Sequence, residues 1–232
     1  MKKITFFLCL LSVSTLASAA SSPKQQLEKA NTVLTSIMQT PEKAIPGDLL
    51  NKAVCVGIVP AEIKFAFIVG GNYGRGVLVC RRHGNGPWGA PSMFTLGGGS
   101  FGFQIGGKGT DVVFVVMNPD GVRKLLQSKV TLGAGVSVAG GPVGRSASGE
   151  TDAQMHAEIL SYSRSRGLFA GAALNGAVMK QDNADNKELY GHRVSPQDIL
   201  IKGTVATPAA AEQLDRTLTK YSPHGGAPFG NL

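Results

Sequence analysis

The amino-acid sequence predicts an α+β fold in which helices from the N and C termini cover a mostly antiparallel, glycine-rich β-sheet of about ten strands. Short runs rich in Val, Ile and Phe follow one another from residue 53 onward, separated by Gly, Pro and Asn, which is typical of successive strands. The 31 glycines and 12 prolines among 232 residues are too many for a helical bundle. Because few long helices separate the strands, antiparallel pairing is favoured, and so wide a sheet is expected to be barrel-like or strongly curled.

The first twenty residues, 1–20, have the pattern of a secretory signal peptide. Lys2 and Lys3 form a basic start, residues 6–11 are apolar, and residues 17–19 (Ala-Ser-Ala) form a small-residue cleavage signature. Cys9 lies within the apolar run rather than after the cleavage signature, so no lipoprotein is expected. The sequence therefore predicts an exported protein, periplasmic or extracellular, that is peripheral to a membrane.

The segment 21–52 is predicted to be helical. Between residues 23 and 39, apolar side chains recur at spacings of three and four residues, which places them on one face of a helix. Two interpretations of this face stay open, since it could pack on the sheet or bind a membrane. The candidate membrane-binding residues are Leu27, Leu34, Ile37 and Met38.

Residues 53–222 are predicted to form a single β-rich domain. Strands are expected near 54–59, 63–69, 75–82, 91–97, 101–106, 111–117, 130–139, 158–165 and 168–180. Short helices are expected over 120–128, after Ser195-Pro196 and from Pro208 to about Tyr221. The last ten residues, 223–232, are expected to be a flexible tail.

Two cysteines remain once the signal peptide is removed, Cys55 and Cys80. Each lies in a run with the pattern of a strand. In an oxidising, exported compartment, two such cysteines form a disulfide more often than a metal site. We therefore predict a disulfide between them.

The excess of positive charge is confined to one part of the chain. Residues 53–149 contain nine basic and three acidic residues, whereas the rest of the processed chain contains equal numbers of each. Such an excess favours an anionic partner, such as a membrane surface or a phosphorylated head group, although dispersed solvated charge is the alternative. Nucleic acid fits less well, because only 6% of the residues are aromatic and most of these are Phe in apolar runs.

Two glycine-rich motifs suggest enzymes but lack the required context. Residues 97–102 match a dinucleotide-binding fingerprint, yet a strand rather than a helix is predicted to follow, so no cofactor is expected. Residues 98–102 match a nucleophile elbow, which would make Ser100 the nucleophile of a serine hydrolase, with Asp152 or Asp182 and His192 downstream. The elbow also requires a strand, a turn and a helix. The four histidines have no metal-ligand spacing, so no metal is expected.

Several glycine-rich blocks together resemble the SYLF domain. They are Gly-Gly-Asn-Tyr-Gly-Arg-Gly-Val at 70–77, Trp-Gly-Ala-Pro at 88–91, Gly-Gly-Gly-Ser-Phe-Gly-Phe-Gln-Ile-Gly at 97–106, Ala-Gly-Gly-Pro-Val-Gly-Arg at 139–145 and Tyr-Ser-Arg-Ser-Arg-Gly-Leu-Phe-Ala-Gly at 162–171. The resemblance extends over roughly residues 40–200. It implies a lipid-binding module, associated in eukaryotic members with phosphoinositides and membranes through an N-terminal amphipathic helix and basic residues, and in some with actin. For an exported protein we expect anionic phospholipid in general.

The residues and the resemblance together indicate a basic, glycine-rich face. Arg75 lies between two glycines and Arg145 follows Gly-Gly-Pro-Val-Gly, where a guanidinium and exposed backbone could grip a phosphate. Ion pairs with acids such as Asp111 or Asp152 are the alternative. The expected lipid-binding residues are Lys64, Arg75, Arg81, Arg82, Lys108, Arg145, Arg164 and Arg166.

The predicted function is therefore non-enzymatic binding of anionic phospholipid by an exported peripheral protein. Two alternatives stay open. The first is a periplasmic structural or protein-interaction module with a protein partner, and the second is the serine hydrolase centred on Ser100.

Overall fold

The computed structural model describes residues 21–40, 44–60, 72–98, 110–144, 156–165, 168–171 and 174–230. The predicted signal peptide, the strands predicted near 63–69 and 101–106, and the candidate residues Ser100, Lys64, Lys108, Arg145 and Arg166 lie outside the described residues.

Six α-helices and nine β-strands are present in the described part of the chain. The helices are α1 (Pro23–Met38), α2 (Gly47–Lys52), α3 (Pro119–Leu125), α4 (Asn183–Tyr190), α5 (Pro196–Leu200) and α6 (Glu212–Tyr221). The strands are β1 (Cys55–Val59), β2 (Asn72–Arg81), β3 (Trp88–Gly98), β4 (Asp111–Val116), β5 (Lys129–Thr131), β6 (Val138–Gly140), β7 (Ile159–Ser165), β8 (Leu168–Gly171) and β9 (Val178–Gln181).

The strands form one sheet in the order β5-β9-β3-β2-β1-β4-β7-β6, and β8 also pairs with β7. Every pairing is antiparallel except that of β6 with β7, which is parallel. The sheet is strongly curled, and helices from both ends of the chain pack on it. The predicted α+β class, the antiparallel pairing and the curled sheet are thus confirmed.

Two segments that were predicted as single strands are each interrupted by a turn. The predicted strand 130–139 is divided into β5 and β6, because Gly133 adopts a positive φ of 84° and its amide donates to the carbonyl of Val136. The predicted strand 168–180 is divided into β8 and β9, and Gly176, with φ 83°, forms the turn before β9. Glycine adopts this left-handed backbone conformation without steric cost, so the turns occur at these two glycines.

Both faces of the sheet are buried. Side chains such as Val56, Val77 and Met93 point to one face, where they pack against α1, α2 and α6. Alternate residues such as Phe94 and Phe114 point to the other face, against α3 and α5. We call these the α1 face and the α3 face. Because both are covered, the central strands are continuous apolar runs rather than alternating ones.

Glycines within the strands make room for aromatic rings on the α3 face. A Cβ atom on Gly57 would lie 2.1 Å from the ring of Phe114, and one on Gly76 would lie 2.4 Å from the ring of Phe94. The two rings pack edge to face with their centroids 5.8 Å apart. The glycines in β1 and β2 are therefore explained by packing of the core.

The segment after α6 is not the flexible tail that the sequence predicted. The amide of Gly226 donates to the carbonyl of Asn51 at 2.7 Å, and the amide of Phe229 donates to the carbonyl of His83 at 3.0 Å. The Phe229 side chain is buried in the core of the α3 face. The buried Phe229 ring and two backbone hydrogen bonds thus hold the segment after α6 against the rest of the domain, although its composition is typical of a flexible chain end.

The structure contains the disulfide between Cys55 and Cys80. The two residues are register partners on β1 and β2, and their sulfur atoms lie 2.00 Å apart. Both side chains are buried in the core of the α3 face. The bond therefore joins the two central strands of the sheet.

Removing this disulfide is expected to destabilise the fold by about 3 kcal/mol, because it closes a loop of 25 residues in the unfolded chain. The Cys55→Ala/Cys80→Ala variant should show this loss in urea unfolding. Dithiothreitol should lower the unfolding midpoint of the wild type and leave that of the variant unchanged. A variant as stable as the oxidised wild type would contradict the expectation.

Candidate functional site

Antiparallel pairing brings many of the strand ends together at one end of the sheet. There β1, β3 and β7 finish and β2, β4 and β8 start, as the register pairs Asn72↔Gly98, Val59↔Val112 and Ser165↔Leu168 show. We call this the loop end. In the sequence, Lys64 falls between β1 and β2, Lys108 between β3 and β4, and Arg166 between β7 and β8, and all three lie outside the described residues. At the opposite end of the sheet lie Arg81, the last residue of β2, and Arg82, which follows it.

Arg164 lies at the loop end and is paired with an acid. Its Nε and Nη2 atoms donate to Oδ2 of Asp111 at 2.8 and 2.5 Å. Arg164 and Asp111 are register partners on β7 and β4, and both side chains are partly buried. The ion pair that the sequence left open as an alternative is thus present for Arg164. It links β4 and β7 where the two strands meet at the loop end.

Arg75 is buried, with 9% of its surface exposed, and connects three elements. Its Nη1 atom donates to the carbonyl of Ser21 before α1, and its Nη2 atom forms an ion pair with Asp185 of α4. The backbone carbonyl of Arg75 accepts a hydrogen bond from Nε2 of Gln26 in α1. Arg75 therefore fixes two helices to β2, which corrects its expected role as an exposed phosphate ligand.

Arg81 is completely buried at the end of β2, which also corrects its expected role in lipid binding. Its guanidinium lies 4.2 Å from the centre of the Trp88 ring. It donates to backbone carbonyls rather than to an acid. These are the carbonyls of Ala53 (3.1 Å), Gly86 (3.3 Å), Ser222 (3.1 Å) and His224 (3.4 Å), with Oγ of Ser222 as a further acceptor.

Two of these acceptors lie at the C-terminal ends of helices. Ala53 is the C-cap of α2 and Ser222 is the C-cap of α6. The free carbonyls at a helix C-terminus carry partial negative charge, so they stabilise a cation. Burial lowers the pKa of Arg81, but an arginine side chain keeps its charge under all ordinary conditions. Arg81 thus joins the two helices to the sheet.

Arg82, the next residue, is exposed and lies near α6. Burial raises the pKa of Asp215 in α6, and the charge of Arg82 opposes that rise. Since Arg82 is at the end of the sheet opposite the loop end, the structure does not bring it together with Arg164. The basic residues predicted from the sequence are therefore divided between two ends of the sheet.

The apolar face of α1 packs on the sheet. A capping box formed by Ser22 and Gln25 starts the helix, with Pro23 in its first turn. The side chains of Leu27, Leu34 and Ile37 are at most 2% exposed in the core of the α1 face, and Met38 packs against the same core. Of the two interpretations that the sequence left open, the structure shows packing on the sheet, with the candidate membrane-binding residues in the core.

The candidate residues of the serine hydrolase that the structure describes have other contacts. Ser100 and Asp152 lie outside the described residues. The Asp182 side chain accepts a hydrogen bond from the amide of Asp185 and caps α4. His192 is exposed, with Nδ1 2.9 Å from the carbonyl oxygen of Tyr190. The hydrogen bonds of Asp182 and His192 in the described part of the chain are thus with nearby backbone atoms.

None of the described helices has both the length and the apolar character needed to cross a bilayer.

Comparison with known proteins places the chain among actin-regulatory and protein-binding relatives. The family model of Ysc84, described as "Las17-binding protein actin regulator", matches residues 97–221. An SH3 domain-containing protein of Schizosaccharomyces pombe is 35% identical over 206 residues, which cover 85% of this chain and 47% of that protein. LAS seventeen-binding protein 3 of Saccharomyces cerevisiae is 33% identical over 217 residues, covering 88% of this chain and 47% of that protein.

A human relative, SH3 domain-containing YSC84-like protein 1, is 32% identical over 208 residues, which cover 87% of this chain and 60% of that protein. The chain therefore spans about half the length of the curated relatives that it matches.

Arg81→Ala is expected to lower the free energy of unfolding by at least about 3 kcal/mol, because it leaves several buried carbonyls without a donor. The matched control is Arg82→Ala, which removes the same charge from an exposed neighbour and should change stability by about 0.5 kcal/mol or less. Urea unfolding followed by Trp88 fluorescence measures both. Equal losses in the two variants would contradict the structural role of Arg81.

Proposed function

Since the chain belongs to the Ysc84, or SYLF-domain, family, we propose that it is a binding module rather than an enzyme, and that its ligand is anionic phospholipid. Binding is proposed to occur at the loop end of the sheet. The family descriptions refer to binding and regulation, which supports the non-enzymatic part of this proposal.

The convergence of strand ends is the observation that carries the proposal. Lys64 lies between β1 and β2, Lys108 between β3 and β4, and Arg166 between β7 and β8, and all of these strand ends meet at the loop end. We therefore propose that these basic residues, although far apart in the sequence, act together at the loop end. Clustered positive charge of this kind attracts an anionic membrane surface.

The contacts of the described arginines narrow the set of ligand-binding residues. Arg81 is part of the core, Arg75 is neutralised by Asp185, and Arg164 is neutralised by Asp111. The proposed lipid-binding residues are therefore Lys64, Lys108, Arg145 and Arg166. Glycine-rich segments suit this role, because backbone amides without side chains can approach a phosphate closely.

Export is the second part of the proposal. The capping box that starts α1 lies directly after the predicted cleavage signature at 17–19, so cleavage there would leave the helix cap intact. A buried disulfide between Cys55 and Cys80 suits an oxidising compartment. We therefore propose that the processed protein acts in a periplasm or outside the cell, at a membrane surface.

The comparisons favour a second candidate, a protein-interaction module. The matching family model and one of the yeast relatives are described by the protein Las17 that they bind. In that case the loop end would recognise an acidic protein surface, and binding would show no dependence on lipid.

Vesicle flotation of the processed chain tests the lipid proposal. Binding to phosphatidylcholine vesicles that contain phosphatidylglycerol, but not to pure phosphatidylcholine, is expected. It should weaken as salt rises past about 0.1 M, where the screening length falls to about 10 Å. Lys64→Ala/Lys108→Ala should reduce the partition coefficient about thirtyfold, since each lysine near an anionic surface contributes about 1 kcal/mol.

The matched control is Lys52→Ala/Arg82→Ala, which removes two exposed charges from the opposite end of the sheet and should bind like the wild type. If the wild type does not float at low salt, the lipid proposal is wrong and the protein-interaction module becomes the better explanation. Equal losses in both double variants would show that net charge, rather than the loop end, drives binding.

A further inference from the structure

Part of the α1 face, near the loop end, is left uncovered by the helices that the structure describes. The register of four neighbouring strands places Tyr73, Gly97, Val178 and Thr131 in one row across β2, β3, β9 and β5. A second row, one step further from the loop end, contains Arg75, Thr95, Lys180 and Lys129. Register partners lie on the same side of a sheet, and residues two apart in a strand do too, so both rows lie on one surface.

We define the open face as the seven residues of these rows other than Arg75. Tyr73, Lys129 and Lys180 are exposed, and Thr95, Gly97, Thr131 and Val178 are partly exposed. In contrast, Met93, two residues before Thr95 on the same side of β3, is completely buried. The helices that cover the α1 face thus end where the open face begins, and Arg75 marks the boundary through its ion pair with Asp185.

The open face carries two unpaired positive charges. Lys129 and Lys180 are directly opposite each other on β5 and β9, and neither has an ion-pair partner among the described residues. Like charges in this position repel each other, which costs stability. A lysine on an edge strand prevents aggregation, and this explains Lys129 on β5. It does not explain Lys180, because β9 lies between β5 and β3.

The nearby acids already have partners. Asp185 forms an ion pair with Arg75, and the carboxylate of Asp182 caps the N-terminus of α4, where the helix dipole offsets its charge. The two lysines therefore remain available to an external anion, and an anion placed between them would relieve their repulsion.

Tyr73 adds an aromatic ring to the same surface. With 44% of its surface exposed, it is one of two large hydrophobic side chains that are exposed among the described residues. Its register partner is Gly97, so no side chain covers the ring from the neighbouring strand. Tyrosine is enriched at the level of lipid head groups, where its ring meets apolar groups and its hydroxyl remains hydrated.

We propose that the open face lies against the head groups of an anionic bilayer. Lys129 and Lys180 bind lipid phosphates, and Tyr73 inserts its ring into the interfacial layer. The open face adjoins the loop end, so both surfaces can contact one membrane at the same time. This inference rests on the proposed lipid binding, and it adds three residues that lie outside the glycine-rich segments.

Vesicle flotation tests the lysines. With phosphatidylglycerol-containing vesicles, Lys129→Ala/Lys180→Ala should lower the partition coefficient about thirtyfold, because two lysines close to an anionic surface are removed. Lys52→Ala/Arg82→Ala again removes two charges from the opposite end of the sheet and should bind like the wild type. Thermal unfolding should give Lys129→Ala/Lys180→Ala a midpoint at or above that of the wild type, since the repulsion between the two lysines is removed, and should leave the midpoint of Lys52→Ala/Arg82→Ala close to that of the wild type.

Fluorescence quenching tests the insertion of Tyr73 with a substitution that leaves the charge of the protein unchanged. In Tyr73→Trp, brominated lipids should quench the new tryptophan only when the vesicles are anionic. The native Trp88 is buried and contributes an unquenched background. Thr219→Trp is the matched control, because Thr219 is exposed near the C-terminus of α6, which contacts Arg81 at the end of the sheet opposite the loop end. Its tryptophan should remain unquenched.

The outcomes separate this inference from the function on which it rests. If the wild type does not bind vesicles, the proposed lipid binding fails. If the wild type binds and Lys64→Ala/Lys108→Ala weakens binding, while Lys129→Ala/Lys180→Ala binds normally and Tyr73→Trp is unquenched, lipid binding stands and the role of the open face is overturned. Equal quenching of Tyr73→Trp and Thr219→Trp would also overturn it.

Discussion

The guanidinium of Arg81 is the interaction on which the arrangement of helices and sheet depends. A fully buried charge costs several kcal/mol in lost hydration, and no acid among its described partners offsets that cost. Instead, carbonyls at the C-terminal ends of α2 and α6 accept its hydrogen bonds, and Trp88 covers it. Because α2 belongs to the N-terminal part of the sequence and α6 to the C-terminal part, one arginine holds both parts of the chain against the same end of the sheet.

Two other arginines have a structural role like that of Arg81, whereas two lysines do not. Arg75 and Arg164 form ion pairs with Asp185 and Asp111, and so they are committed to the fold. The planar guanidinium suits such sites, since it donates several hydrogen bonds in fixed directions. Lys129 and Lys180, in contrast, face solvent on the open face without a partner among the described residues. Arg75, Arg81 and Arg164 therefore build the structure, while Lys129 and Lys180 supply charge that an anionic surface can meet.

Much of the fold could be predicted because it depends on local pattern. The spacing of apolar residues predicts α1, and runs of β-branched residues predict the central strands and the curled antiparallel sheet. The disulfide was predicted from the two cysteines that lie outside the predicted signal peptide. Long-range contacts were less predictable. The end of the chain was expected to be flexible, yet Phe229 is buried, because the pocket that receives it is formed by residues distant in sequence.

The sequence alone determined the class of fold, the strands, the first helix and the segment in which positive charge accumulates, because each of these is set by composition or by periodicity along the chain. Only the tertiary structure decided which charges remain available. Arg75 and Arg81 have the same charge in the sequence as Lys129 and Lys180, but their strand positions direct the arginines towards helices and carbonyls. Register across β5, β9, β3 and β2 brings the lysines and Tyr73 onto one surface, and such a juxtaposition arises only when distant strands pair.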